Sequence, residues 1–197
     1  DLVLKTTHQR NPLKRLLLSA ADWQLIRYCE VPLWLVKHGE NPLKQLCASV
    51  DPLHSADKPA ALDNKLIACG HELGQQLNAQ LHLAHCYTPL PRTMVFDASV
   101  IADYEGYAKD VKQHHATAFS QLLARSPADG AATHLLEGDP EEALPGFVEE
   151  QKIDLLIMGA VSRSRLESAL IGHTAERLID ATPCDLLIIK PDGFVDP

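Results

Sequence analysis

The 197-residue chain carries 18 Lys and Arg against 26 Asp and Glu, a formal charge of −8, with 46% hydrophobic residues. This balance argues against a nucleic-acid binder, because phosphate contacts need clustered Lys and Arg, and no apolar run is long enough to span a membrane. The five cysteines (Cys29, Cys47, Cys69, Cys86, Cys184) are scattered and form no C-x-x-C, so they read as buried reduced thiols rather than a disulfide framework or zinc site.

Residues 1–37 read as strand, helix and strand, and they recur without a gap 153 positions later. Asp1-Leu2-Val3-Leu4 lies over Asp154-Leu155-Leu156-Ile157, and Leu33-Trp34-Leu35-Val36-Lys37 lies over Leu186-Leu187-Ile188-Ile189-Lys190, with nine identities in 37 positions. Such self-similarity marks a repeated structural unit. Residues 1–37 are therefore expected to be the tail of one unit and the remainder a complete second one. A chain starting with Asp and holding half a repeat is expected to be a piece of something longer. Residues 38–42, His-Gly-Glu-Asn-Pro, form a short linker.

The second unit, 43–192, alternates strand and helix. A strand from Leu43 to Val50 ends at Asp51-Pro52, and a helix follows over 60–79 with an apolar stripe at Leu62, Leu66, Ile67, Cys69, Leu73 and Leu77. Leu81 to Tyr87 is a strand, Arg92 to Ile101 reads as a loop without a period, and Tyr104 to Ala124 is helical. Thr133 to Leu136 is a short strand. Asp139-Pro140 makes a good helix start, with Asp as cap and Pro at the first helical position. Ile153 to Met158 is a continuous apolar strand, suited to burial on both faces. A helix from Thr174 to Ala181 and a strand from Leu186 to Ile189 complete the unit. The order predicts an open five-stranded parallel sheet with helices on both faces, joined by right-handed crossovers. Ligands of such sheets bind beyond the carboxyl ends of the strands, where strand order reverses. Asp51 and Gly159 sit at two such ends.

The segment richest in chemistry opens at Met158-Gly159 and closes at Gly172-His173-Thr174. Glycine after a strand lets backbone approach a ligand, and a helix start offers unpaired N–H groups that suit phosphate. Arg163 and Arg165 lie in the same loop as partners for an anion.

This pattern resembles the universal stress protein family, whose nucleotide-binding members carry Gly, two residues, Gly, nine residues, then Gly with Ser or Thr. Here the spacing is kept as Gly159, Ser162, Gly172 and His173, with two of the residue types changed. Gly-x-Thr-Ala-Glu at 172–176, Cys-Asp-Leu-Leu-Ile-x-Lys-Pro-Asp at 184–192 and the tandem layout look most like the E-type bacterial members. The resemblance implies strand order 3-2-1-4-5, and last strands that pair between two units, Leu33–Val36 against Leu186–Ile189, as a pseudo-dimer. It implies that Asp51 lies near the adenosine of ATP or another adenine nucleotide, that Met158 and Gly159 line the pocket, and that Gly172 and Thr174 cradle phosphates with Ser162, Arg163 and His173 beside them. Ser162 adds a Cβ and His173 lacks a hydroxyl, so the site is degenerate. In the first copy Thr6, Gln9, Ser19 and Ala20 stand at the motif positions, and no glycine remains there.

The resemblance further implies a cytoplasmic stress-response protein that senses a ligand or binds an unidentified protein, and that is not an enzyme. Its alternatives are an ATP-dependent switch or slow ATP hydrolase, a structural module forming a homodimer, or a carrier of an amphiphile near Leu90, Met94, Val95, Phe96, Tyr104 and Tyr107. No metal cluster is expected. His82 and His85 point to opposite faces of one strand and His114 and His115 diverge on a helix. Glu141-Glu142 and Glu149-Glu150 read as solvated helix ends, and Ser162, Ser164 and Ser168 as a polar loop. The nucleophile elbow, Walker and dinucleotide-binding patterns are absent.

Overall fold

The computed structural model describes residues 1–7, 19–37, 42–54, 61–90, 94, 98–160 and 173–191. Its elements are β1 (Val3–Thr6), α1 (Ala20–Tyr28), β2 (Leu33–Val36), β3 (Gln45–Ser49), α2 (Ala61–Leu77), β4 (Gln80–Tyr87), α3 (Ala98–Ala102), α4 (Tyr104–Leu123), β5 (Ala132–Glu137), α5 (Pro140–Glu150), β6 (Leu155–Gly159), α6 (His173–Ala181) and β7 (Asp185–Ile189). The 153-residue offset holds in the fold: shifting α1 by it gives the bounds of α6.

Two local expectations need correction. The stretch expected to stay a loop to Ile101 contains α3, which leads directly into α4. There Asp103 caps α4, its Oδ1 accepting from the Gly106 N–H at 3.0 Å. Asp139 precedes α5 with Pro at the helix start, yet its side chain makes no cap bond and accepts from Thr88 Oγ1 at 3.1 Å.

One seven-stranded sheet runs β1-β2-β7-β6-β3-β4-β5. The five strands of residues 45–189 stand in the order 3-2-1-4-5, all parallel to their neighbours. β1 and β2 are parallel to each other, and β2 joins β7 antiparallel through Leu33↔Ile188, Trp34↔Leu187 and Leu35↔Leu186. β1 forms the rim, where Leu2 and Leu4 are 44% and 62% exposed.

Two apolar layers cover the sheet. On one face Leu144, Phe147 and Val148 of α5, Leu178 and Ile179 of α6 and Ile26 of α1 pack on β2, β6 and β7. On the other, Leu62, Leu66 and Ile67 of α2 and Phe119 and Leu122 of α4 pack on β3, β4 and β6. Side chains of a strand alternate between faces, so Leu33 and Leu35 join the first layer and Trp34 the second. The first layer runs unbroken across the β2–β7 seam. Truncating a buried Leu within such a layer costs about 2–5 kcal/mol.

Candidate functional site

Strand order reverses between β3 and β6: the chain leaves β3 toward β4 and β5, then returns to β6 and β7 on the other side. The crevice for a ligand therefore opens beyond the carboxyl ends of β3 and β6. The β3–β6 register places Ala48 opposite Ile157, so the chain just past β3, with Asp51, flanks Gly159 at the end of β6. Asp51 is exposed. Its N–H donates to Asp63 Oδ1 on α2 at 3.0 Å and its carbonyl accepts from the His54 N–H at 2.9 Å. The backbone of this exposed residue is thus tied at the start of α2.

Gly159 has a packing reason of its own. A Cβ there would stand 2.6 Å from Leu62 Cδ2, so the missing side chain admits α2 against the end of β6. Met158, at the same strand end, has its side chain 3% exposed and within the layer under α5 and α6. Alternation along β6 turns it away from Leu62 and Leu66, and only its backbone borders the crevice. His173 and Thr174 open α6. Ser162, Arg163 and Gly172 lie outside the described residues, as do Val95 and Phe96.

Two histidine pairs flank β4, one on each face. His85, 1% exposed, has Nδ1 at 3.1 Å from the Val50 carbonyl and Nε2 at 2.8 Å from His115 Nδ1. A carbonyl only accepts, so Nδ1 of His85 carries the proton and its Nε2 accepts from His115. On the other face His82 Nε2 meets Gln45 Oε1 at 2.8 Å and Nδ1 meets His134 Nε2 at 3.0 Å, with the His134 ring tilted on Phe147. The same rule puts the His82 proton on Nε2, with Nδ1 accepting from His134. Burial pushes all four imidazoles below the usual histidine range; for His85 the Val50 carbonyl and the Asp51 charge partly oppose it. Neutral rings joined in closed pairs are structural polar groups. No group of three or more His, Cys, Asp or Glu able to hold a metal occurs among the described residues.

Beside this end of the sheet the Tyr87 hydroxyl donates to Glu137 Oε2 at 2.7 Å, and burial followed by that carboxylate pushes it up to about 12. Tyr104 Oη donates to the Leu90 carbonyl at 2.9 Å, and the Leu90 N–H donates to Tyr107 Oη at 3.2 Å. The two tyrosines therefore clamp the backbone at Leu90, in the segment after β4. Leu90 and Met94 are 54% and 61% exposed.

A separate cleft of about 320 Å³ is lined by Trp23, Arg27, Glu176, Arg177 and Asp180 on α1 and α6. It lies between α1 and α6 rather than at the β3–β6 switch point. Mixed charges line it, with Arg27 paired to Glu176 at 3.6 Å.

The histidine pairs are not legible in the chain order because each joins two elements. His134 stands opposite Ala84 in the β4–β5 register, two positions from His82, and only that register makes them neighbours. His115 reaches His85 through the rotation of α4.

Comparison with known proteins bears on the same segments. The model of the universal stress protein family matches residues 53–190. The chain is 34% identical over 209 residues to universal stress protein E of Salmonella typhi, covering 100% of this chain and 63% of that relative. It therefore spans less than two thirds of that relative's length. Universal stress protein MJ0531 of Methanocaldococcus jannaschii is 40% identical over 160 residues, covering 79% of this chain and 87% of the relative. A crystal structure of a putative universal stress protein from Pseudomonas aeruginosa superposes with a TM-score of 0.69 at 24% identity, over 98% of this chain and 64% of the other.

Proposed function

This chain belongs to the universal stress protein family, and we propose that it serves as a cytoplasmic regulatory module that senses a ligand through a degenerate adenine-nucleotide site in residues 43–192. What supports this reading is the exposed Asp51 just past β3, next to the strand that ends at Gly159, at the β3–β6 switch point. The residues present suit the nucleoside end of ATP or AMP, since a carboxylate accepts hydrogen bonds from sugar hydroxyls. The phosphate end would fall to Ser162, Arg163, Gly172, His173 and Thr174. With Ser162 and His173 in place of the usual Gly and hydroxyl residue, binding is weak, and the role is sensing rather than turnover.

The test is nucleotide extracted from the purified chain, measured by absorbance and mass, followed by calorimetry with ATP and AMP. Weak heat in the parent chain that falls tenfold or more in Asp51→Asn supports the reading. Absence of both co-purified nucleotide and heat at millimolar ligand overturns it.

A second reading rests on a different observation, the antiparallel β2–β7 pairing. Residues 1–37 would be the end of a preceding stress-protein unit, 38–42 the linker, and 43–192 the second unit, the two meeting at their last strands as a pseudo-dimer that presents a surface to a protein partner. The two readings are compatible. Equilibrium unfolding tests this one: a single transition for residues 1–37 and 43–192 together supports it, and separate transitions remove it.

A further inference from the structure

The seam between β2 and β7 has approximate two-fold symmetry. Adding 153 to each β2 residue, and subtracting it from its partner, turns Leu33↔Ile188 into Leu186↔Leu35, which is itself a pair, and returns Trp34↔Leu187 to itself. The axis therefore passes through Trp34 and Leu187. In such an interface each contact recurs across the axis. The lysines follow this rule in kind, each reaching the end of a helix in the opposite segment, but not carbonyl for carbonyl. Lys37 Nζ donates to the Ile179 and Thr182 carbonyls at 2.7 and 2.8 Å, at the end of α6, and Lys190 Nζ donates to the Arg27 carbonyl near the end of α1.

Asp185 breaks it. Its Oδ2 accepts from Trp34 Nε1 at 3.1 Å and its Oδ1 from the Lys37 N–H at 2.8 Å, in a residue only 5% exposed. The counterpart of Asp185 is Pro32, which has no side-chain acceptor, and that of Trp34 is Leu187, which has no donor. The indole–carboxylate bond exists once, on one side of the axis.

We propose that the Trp34–Asp185 bond makes β7 accept this chain's β2 in preference to the β7 of a second copy. Three pairings of these strands are open. In β7 against β7 the apolar side chains still match, and Lys190 of the second copy occupies the place of Lys37, so its backbone N–H and helix-capping ammonium are both supplied. The indole is what disappears, on both sides of the axis. In β2 against β2 no carboxylate stands at the position of Asp185. Only β2 against β7 forms the bond. Apolar complementarity does not choose among the three, whereas a covered carboxylate that loses a donor does, because the lost bond is charge-assisted and water does not replace it. This inference rests on reading the two repeats as related units that meet at their last strands.

The test uses the full chain carrying Leu187→Cys. In a β7–β7 pairing position 187 faces itself across the axis, so mild oxidation links two copies; in the β2–β7 pairing it faces Trp34 and no link forms. We expect Leu187→Cys alone to give little covalent dimer at micromolar concentration. Adding Trp34→Phe, which keeps an aromatic ring and removes the N–H, should raise the yield of dimer linked through position 187 about tenfold or more, the change that ~1.4 kcal/mol of lost discrimination produces. Adding Asp185→Asn should act in the same direction and serves if the Phe variant folds poorly. Equal dimer yields in all three backgrounds overturn the proposal. Separately, Leu33→Cys with Ile188→Cys, a register pair that leaves the indole and Asp185 in place, should close an intrachain disulfide, mapped by peptide mass spectrometry. Its failure removes the paired-units reading itself, while its formation with flat dimer yields removes only the role of the indole–carboxylate bond.

Discussion

Lys37 Nζ donates to the Ile179 carbonyl at 2.7 Å, so a side chain just after β2 closes α6, more than 140 positions later. A helix C-terminus carries partial negative charge and unpaired carbonyls, which suit a cation. The lysine is 7% exposed, and this burial depresses its pKa from 10.5 to about 8, against the favourable fields of the Asp180 and Asp185 carboxylates.

The first prediction follows from that depression. Between pH 8 and 10.5 the unfolded chain holds a proton on Lys37 that the folded chain has released, so this residue's contribution to stability rises with pH across the window. The gain is as much as ~3 kcal/mol. The buried thiols of Cys86 and Cys184, both pushed up to about 12, act in the opposite sense, since their unfolded forms ionise first. Urea midpoints of the parent chain minus those of Lys37→Met isolate the lysine. The difference should favour the parent increasingly from pH 8 to 10; a flat difference would show that Lys37 stays charged when folded.

The start of α1 provides the second. Ser19 N–H and Oγ–H both donate to Asp22 Oδ2 at 2.8 Å, and the Asp22 N–H returns a bond to Ser19 Oγ at 3.2 Å. Burial opposes ionisation of Asp22, but the Ser19 bonds and Lys5 outweigh it, and its pKa is lowered. This stability is present above the unfolded carboxyl pKa and is lost as pH falls through the folded one. Ser19→Ala should cost about 1 kcal/mol at pH 7. Asp22→Asn should lower stability at pH 6 and matter less at pH 3; equal losses at both would point to packing alone.

His85 and His115 provide the third. Long-range nitrogen–proton NMR should find His85 protonated on Nδ1 at neutral pH, and both rings still neutral somewhat below the ordinary histidine pKa of 6.5. Each folded pKa is lowered, so stability falls as pH drops through the unfolded value toward the folded one. His115→Ala should cost about 1–3 kcal/mol by leaving a buried acceptor without its donor. An Nε2–H tautomer in His85 would contradict the Val50 bond.

Gly159 provides the fourth. Gly159→Ala drives a methyl against Leu62, an overpacking expected to cost about 1–3 kcal/mol without any ligand present. Adding Leu62→Ala should recover part of that loss, and a double-mutant cycle reads the coupling. Strict additivity would mean that the glycine is there for something other than α2.

Much of the fold is legible in the residues because period and punctuation survive in them. The offset of 153 fixed the bounds of α1 and α6 relative to each other, and the apolar run ending in Met158 gave β6 its place between two layers. The site is less legible. Register sets Asp51 just past the end of β3 and Gly159 at the end of the neighbouring β6, but the Met158 side chain turns into the core by strand alternation, and Gly159 answers to a leucine on a helix 97 positions earlier. Histidine partners depend on register and helix rotation, neither of which a single chain writes down. Asp139 looked like a cap because its neighbour is a proline; in the fold Thr88 holds its carboxylate.

The rim strand has a practical meaning. Leu2 and Leu4 are 44% and 62% exposed, while their counterparts Leu155 and Ile157 are sealed at 0%. Among the described residues β1 pairs with β2 alone, so its other edge can take a further strand, with two exposed leucines beside it. In concentrated solution that edge competes with the net charge of −8, which keeps copies apart. Raising salt should weaken the repulsion and leave the edge untouched, so solubility of this polypeptide should fall with ionic strength, and Leu4→Lys should restore it.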